Sequence, residues 1–214
     1  MQKIILFISF ISLVMTLGCA TKELRISTQN VQPLKSMQDK IGFTKIKGSL
    51  HIGDFQYAEP DPYRVGTAKT GLFDKLTPVY LDKPIADYIR DQFKLELHKR
   101  GLRVDGKSPY TLTGTIQKLT VDENANGLTV ESAECNLALE FHVLKTKTQQ
   151  LVYKGHVSSY VTGTNNALDS TNSIAPTLES CVQFAVEKFL SENEMLSRLD
   201  IDKVSTPPNL EPQN

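Results

Sequence analysis

The sequence predicts an α+β domain: a two-layer sandwich in which a four-stranded, mainly antiparallel sheet carries two helices on one face. Three observations lead there. Several stretches alternate apolar and polar side chains with a period of two, and two others repeat their apolar residues every three or four positions. Their order is strand, helix, three strands, helix, and each has a single apolar face, so sheet and helices can cover one another.

The first strand is expected over 45–52, where Ile46, Leu50 and Ile52 alternate with Lys45, Lys47, Ser49 and His51. Residues 54–83 read as one long irregular connection, because Pro60, Pro62, Gly66, Gly71 and Pro78 interrupt any period. The run from Gly66 to Gly71 resembles a phosphate loop only in its glycine spacing. Leu72 and Phe73 stand where lysine and a hydroxyl residue would be needed, which argues against nucleotide binding. Asp82 and Pro84 then open a helix with an apolar stripe of Ile85, Tyr88, Ile89, Phe93 and Leu97, closed by Gly101; Glu96, Lys99 and His98 are expected outside.

Three strands follow. In the first, Tyr110, Leu112, Gly114 and Ile116 share a face, and the phase slips near Lys118 so that Leu119 and Val121 continue one residue late, as a bulge would produce. In the second, Ala133, Cys135, Leu137, Leu139, Phe141 and Val143 form an inward row, and a polar turn at 146–149 leads back through Leu151, Tyr153, Val157 and Val161. The closing helix, beginning near Pro176, turns Leu178, Cys181, Val182, Ala185, Phe189 and Leu190 inward, with Glu179, Gln183 and Glu187 expected outside.

Outside the folded part, the N-terminus carries Lys3, an uncharged apolar run, and Leu17-Gly18-Cys19. A basic tip, an apolar segment and a small-residue processing site make a secretory signal. The final three residues resemble the lipobox of bacterial lipoproteins, which implies a lipid thioether on Cys19 and cleavage before it. Ala20 follows, where inner-membrane retention would place Asp, so the resemblance implies an outer-membrane address facing the periplasm. The organisation is thus a signal peptide over 1–18, a lipid-anchored tether over 19–44, one domain over 45–200 and a flexible Pro-rich tail over 201–214.

Charge is balanced, with 24 Lys and Arg against 24 Asp and Glu, so nothing electrostatic points to nucleic acid. Cys135 and Cys181 are both phased inward, in a compartment where disulfides persist. They are either a disulfide across the sheet–helix interface or two buried thiols behaving as small apolar residues.

The sheet's other face is expected to be polar and open, displaying Lys45, Lys47, Ser49, His51, Thr111, Thr113, Thr115, Gln117, Asn136, Glu140, His142, Lys154, His156, Ser158 and Tyr160. A symmetric turn would set Glu140 opposite His156, with His142 beside it, so a metal site there is conceivable; a solvated face with a charge pair is the plainer reading. No nucleophile elbow or Cys/His signature organises the serines and histidines, so no catalytic residue and no cofactor are assigned.

The segment from Pro84 to Tyr110, with Glu96-Leu97, Arg100-Gly101-Leu102 and a Tyr-x-Leu-x-Gly strand start at Tyr110, then Tyr153 and the closing helix, resembles the YajG-type uncharacterised lipoprotein family. The layout is similar to LptE and to the auxiliary lipoproteins of ABC-type lipid transporters. The expected Asp-x-Arg after the first strand is replaced by Asp54-Phe55-Gln56. The resemblance implies a non-enzymatic envelope lipoprotein that serves a periplasmic or outer-membrane partner. Alternatives are a periplasmic ligand or peptidoglycan binder, and a hydrolase or metalloenzyme at His142 and His156.

Overall fold

In the computed structural model, which describes residues 23–29, 45–70, 75–104, 106–125, 130–166 and 173–204, the elements are as follows. The chain runs β1 (Leu24–Ile26), β2 (Ile46–Lys47), β3 (His51–Tyr57), β4 (Arg64–Thr70), β5 (Lys75–Leu81) and α1 (Ile85–Lys99). It continues through β6 (Tyr110–Ala125), β7 (Val130–Lys145), β8 (Leu151–Asn166), α2 (Ile174–Ser191), α3 (Asn193–Arg198) and β9 (Asp202–Lys203).

The sheet is larger than the expected four, mainly antiparallel strands, it is mixed, and a third helix, α3, joins the two expected. Seven strands join in the order β1-β5-β4-β6-β7-β8, with β3 also on β6, and β2 pairs with β9 in a separate two-stranded sheet. The backbone is the meander β6-β7-β8, antiparallel throughout. On its other edge β6 takes two partners end to end, both parallel: β3 beside Thr111 to Ile116, and β4 beside Val121 and Asp122. The register of β6 shifts between Ile116 and Lys118, at the bulge that the sequence phase predicts, which keeps Leu119 and Val121 buried.

The additional strands lie inside the stretch expected to be irregular. β4 and β5 form an antiparallel hairpin, and the apolar residues Val65 and Ala68 are buried despite their odd spacing because the register shifts between Arg64 and Gly66. Gly66 is not loop chemistry. A Cβ there would lie 2.0 Å from the Val121 carbonyl oxygen, so only glycine lets β4 press against β6. Pro78 pairs with Thr67 but lies just before Val79, where β1 begins to pair; at that point β5 has one neighbour and the missing donor is tolerated.

β1 adds a parallel strand outside β5, Leu24 to Ile26 against Val79 to Leu81. The Asp82 side chain does not cap α1, whose N-cap is Pro84 without a side-chain bond. It accepts instead from the Thr28 amide (3.1 Å) and hydroxyl (2.7 Å), stitching the segment after β1 to the start of the helix. The expected first strand is broken into β2 and β3 at Gly48, whose φ of 156° marks the change of direction.

α1 lies against β3, α2 against β7 and β8, and the helices touch each other. Their contact is held by a row of rings. Phe55 meets Phe93 (centroids 5.7 Å), Phe93 meets Phe189 (6.1 Å), Phe189 meets Phe141 (4.9 Å), and Phe141 meets Tyr153 (6.0 Å). Each such pair adds roughly 0.5–1.5 kcal/mol beyond its buried area. Glycines under the rings make room: a Cβ on Gly114 would meet Phe55, and one on Gly155 would meet Phe141.

β8 ends the sheet, and its outward edge is partly covered by cations. Lys188 Nζ donates to the Ser158 carbonyl (2.6 Å), and Arg198 Nη1 donates to that of Val152 (3.1 Å).

Gly66→Ala should lower the urea unfolding midpoint by an amount equivalent to about 2 kcal/mol or more, because strand must move from strand. Gly106→Ala, with nothing within 4 Å of the new methyl, should be near neutral in the same measurement.

Candidate functional site

The face of β6-β7-β8 away from the helices is polar, and Glu140 is its centre. The turn at 146–149, with Gln149 at φ 55°, pairs Leu144 with Leu151, and a one-residue register shift at Val152 then sets Glu140 against His156 on one side, with Thr115 on the other, and His142 against Lys154. Three cationic or proton-bearing groups converge on one carboxylate. Lys154 Nζ lies 2.8 Å and His142 Nε2 3.1 Å from Oε1, and His156 Nε2 lies 3.6 Å from Oε2. The hydrogen bond from Lys154, then the surrounding positive charge, holds the Glu140 carboxyl below its ordinary value. Surface clusters of this kind contribute little stability.

Chemically the cluster is one acceptor ringed by donors, with Lys154 nearest to the carboxylate. Among the described residues no group of three or more His, Cys, Asp or Glu is placed to hold a metal. Around it, Thr113, Thr115 and Asn136 are half-buried, while Gln117, His156, Ser158 and Tyr160 are exposed. Not every residue expected on this face is there. Lys47 belongs to the small sheet with β9, Lys45 precedes it, Ser49 bridges to Arg103, and Thr111 is buried with its hydroxyl 2.8 Å from that of Thr146.

Between the helices lies a polar seam that the helical periodicity does not reveal. Glu96 and Glu179, phased away from the sheet, are buried because α1 and α2 pack side by side. The Tyr88 hydroxyl donates to Glu179 Oε2 (3.0 Å), and Gln183 Nε2 donates to Glu96 Oε1 (3.3 Å) with Glu179 Oε1 at 3.5 Å. Lys99 Nζ donates to Glu96 Oε1 at 2.7 Å, and the fully buried Arg100 pairs with Glu187. Burial first, and the neighbouring Glu96 charge with it, pushes the Glu179 carboxyl up to about 7. His98 is exposed in the last turn of α1.

A cleft of about 470 Å³ opens where β3 ends and β4 begins beside β6. Tyr57, Asp61, Arg64, Lys118 and Asp122 line it. The residues likened to a phosphate loop start in β4, where the Thr67 amide and hydroxyl both donate to Asp122 Oδ1, at 3.0 and 2.8 Å.

Cys135 on β7 and Cys181 on α2 are joined as a disulfide, with Cα atoms 6.1 Å apart and a sequence separation of 46. The bond ties the sheet to the helix that covers it. Lys3, Leu17, Gly18 and Cys19, the residues of the expected anchor, lie outside the described residues. Among the described residues no helix is long and apolar enough to cross a membrane.

No family model and no curated protein matches the sequence. Among solved structures, protein XCC0632 from Xanthomonas campestris, of the family described as DUF330, matches with a TM-score of 0.51 at 14% identity over 82% of this chain and 98% of that one. The likeness is one of fold. Hypothetical protein CT253 from Chlamydia trachomatis matches at 8% identity and a TM-score of 0.41 over 69% of this chain and 96% of that one. A minor lipoprotein from Acinetobacter baumannii matches at 10% and 0.31 over 75% and 96%. These two are too distant to carry an argument.

Stability should fall as pH rises through the window set by Glu179. The folded protein keeps that proton up to about pH 7, whereas the unfolded chain releases it near 4.5, so the fold binds an extra proton between those limits. Glu179→Gln should flatten that slope and raise stability at pH 8 by roughly 1–3 kcal/mol, read from denaturant unfolding at both ends of the window. Reduction of the Cys135–Cys181 bond should lower stability by about 3–4 kcal/mol, and intact mass before and after reduction checks that it is formed.

Proposed function

We propose that the protein is a lipid-anchored lipoprotein of the cell envelope, acting as a non-enzymatic accessory that presents the open face around Glu140 to a periplasmic or outer-membrane protein partner. The observation that carries the reading is the joint occurrence of the Lys3 to Cys19 pattern with a sheet whose helices cover one face only. A lipid on Cys19 holds the chain at a membrane without a spanning helix, since each buried CH₂ contributes about 0.8 kcal/mol and two or more chains hold firmly. Ala20 supports the outer membrane over the inner. The resemblance of Pro84 to Tyr110 to the YajG-type family belongs to the same reading, as does the similarity in layout to LptE and the ABC-transport auxiliary lipoproteins.

The face suits a protein partner better than a small ligand. It offers hydroxyls, amides and a charge cluster beside the exposed ring of Tyr160, spread over three neighbouring strands. The cleft between β3 and β4 favours a second reading, a ligand or peptidoglycan binder, because Arg64 and Lys118 stand in it beside Asp61 and Asp122.

Cys19→Ala should release the protein from the membrane fraction while leaving its circular dichroism and melting unchanged. Photo-crosslinking residues at His156 and Tyr160 should capture an envelope protein that one at Lys94, on the exposed side of α1, does not. Retention of the chain on purified sacculi, lost on Arg64→Ala, would replace this reading with the second.

A further inference from the structure

We infer that the domain stands end-on at a lipid surface, with the end of the sheet that holds Thr70, Lys75, Ala125 and Asn166 against the bilayer and the 146–149 turn pointing away from it. The inference rests on the proposed lipid at Cys19, and adds to it a surface and an orientation.

β1 supplies the constraint. Five residue steps separate Cys19 from Leu24, where the chain is already fixed to Val79 in the sheet. The stitch holds downstream as well, through Ile26 against Leu81 and Thr28 on Asp82. Fully extended, five residues reach at most roughly 18 Å. Of the tether expected over 19–44, only the five steps before Leu24 are left as a leash between a lipid on Cys19 and the sheet.

The direction of β1 says which end the leash serves. β1 is parallel to β5, β5 is antiparallel to β4, and β4 is parallel to β6, so β1 runs opposite to β6. Leu24 is level with Val79, Gly66 and Val121, and β1 begins on the side of the sheet where β4 gives way to β5 and β6 to β7. From Val121 to Ala125 is roughly 13 Å along the strand, so most of the leash is used in reaching that end. The opposite end lies beyond it: β7 has 16 residues, and a strand of that length spans roughly 50 Å.

Leu76, one residue from the start of β5, is 61% exposed, the largest exposure among the big apolar side chains described. A single exposed apolar side chain is ordinary in water, and Leu151, 52% exposed, stands at the opposite end, so Leu76 serves as a reporter position for its end.

The chain contains no tryptophan, so single-tryptophan variants report without background. The lipidated full-length protein carrying Leu76→Trp, Lys75→Trp or Thr148→Trp is reconstituted into phosphatidylcholine–phosphatidylglycerol vesicles with and without brominated acyl chains. Tryptophan at 76 and at 75 should lose roughly half its fluorescence to the brominated lipid, as a ring at headgroup depth does, while tryptophan at 148 keeps its intensity. Equal quenching at 76 and 148, or quenching at 148 alone, overturns the orientation, as does its absence at all three positions in protein that floats with the vesicles. Mass spectrometry of Cys19 and flotation are read first: a chain without lipid that does not float overturns the anchoring reading, and the orientation with it.

Discussion

Everything in the sheet depends on strand β6 having two edges used in different ways. One edge is given wholly to β7. The other is shared by β3 and β4, which approach end to end and stop short of each other at the bulge between Ile116 and Lys118. That division makes the sheet mixed, sets the β4–β5 hairpin and β1 on the far side, and opens the cleft between Tyr57 and Arg64. A continuous strand in place of β3 and β4 would pair the bulge and close the cleft.

The helices answer a second constraint. Two amphipathic helices laid on one face of a sheet must also face each other, and residues that point sideways become interior. This is why Glu96, Glu179 and Arg100 are buried and why each has a partner of opposite polarity or a hydroxyl. Such a seam fixes how α1 and α2 slide past one another more than it adds to stability. The ring row from Phe55 to Tyr153 supplies the apolar counterpart, running from β3 through both helices to β8.

Legibility followed residue type. The rows Ala133 to Val143 and Leu112 to Val121 could be read directly, bulge included, because period two persists over long strands with few breakers. Glu140 does stand opposite His156 as expected, but through the one-residue shift at Val152 rather than through the turn, which by itself would set it opposite Gly155. β4 and β5 were not legible, because Gly66 and Pro78 are ordinary turn signals unless one knows that a neighbouring backbone presses on the first and a neighbouring strand begins just past the second. β1 was hidden by brevity: three residues give no period. The buried glutamates were hidden because helical phase is defined relative to the sheet, and it was the other helix that covered them.

The cations on the rim of β8 have a consequence for how the protein can assemble. A sixteen-residue strand at the border of a sheet is a template for any other extended chain. Here Lys188 and Arg198 already occupy two of its carbonyls, and both arise from the covering helices rather than from the strand itself. A newcomer pairing along β8 must therefore displace side chains of α2 and α3 before it can extend the sheet. The helical layer acts as a guard on the sheet's growth as well as a lid on its core.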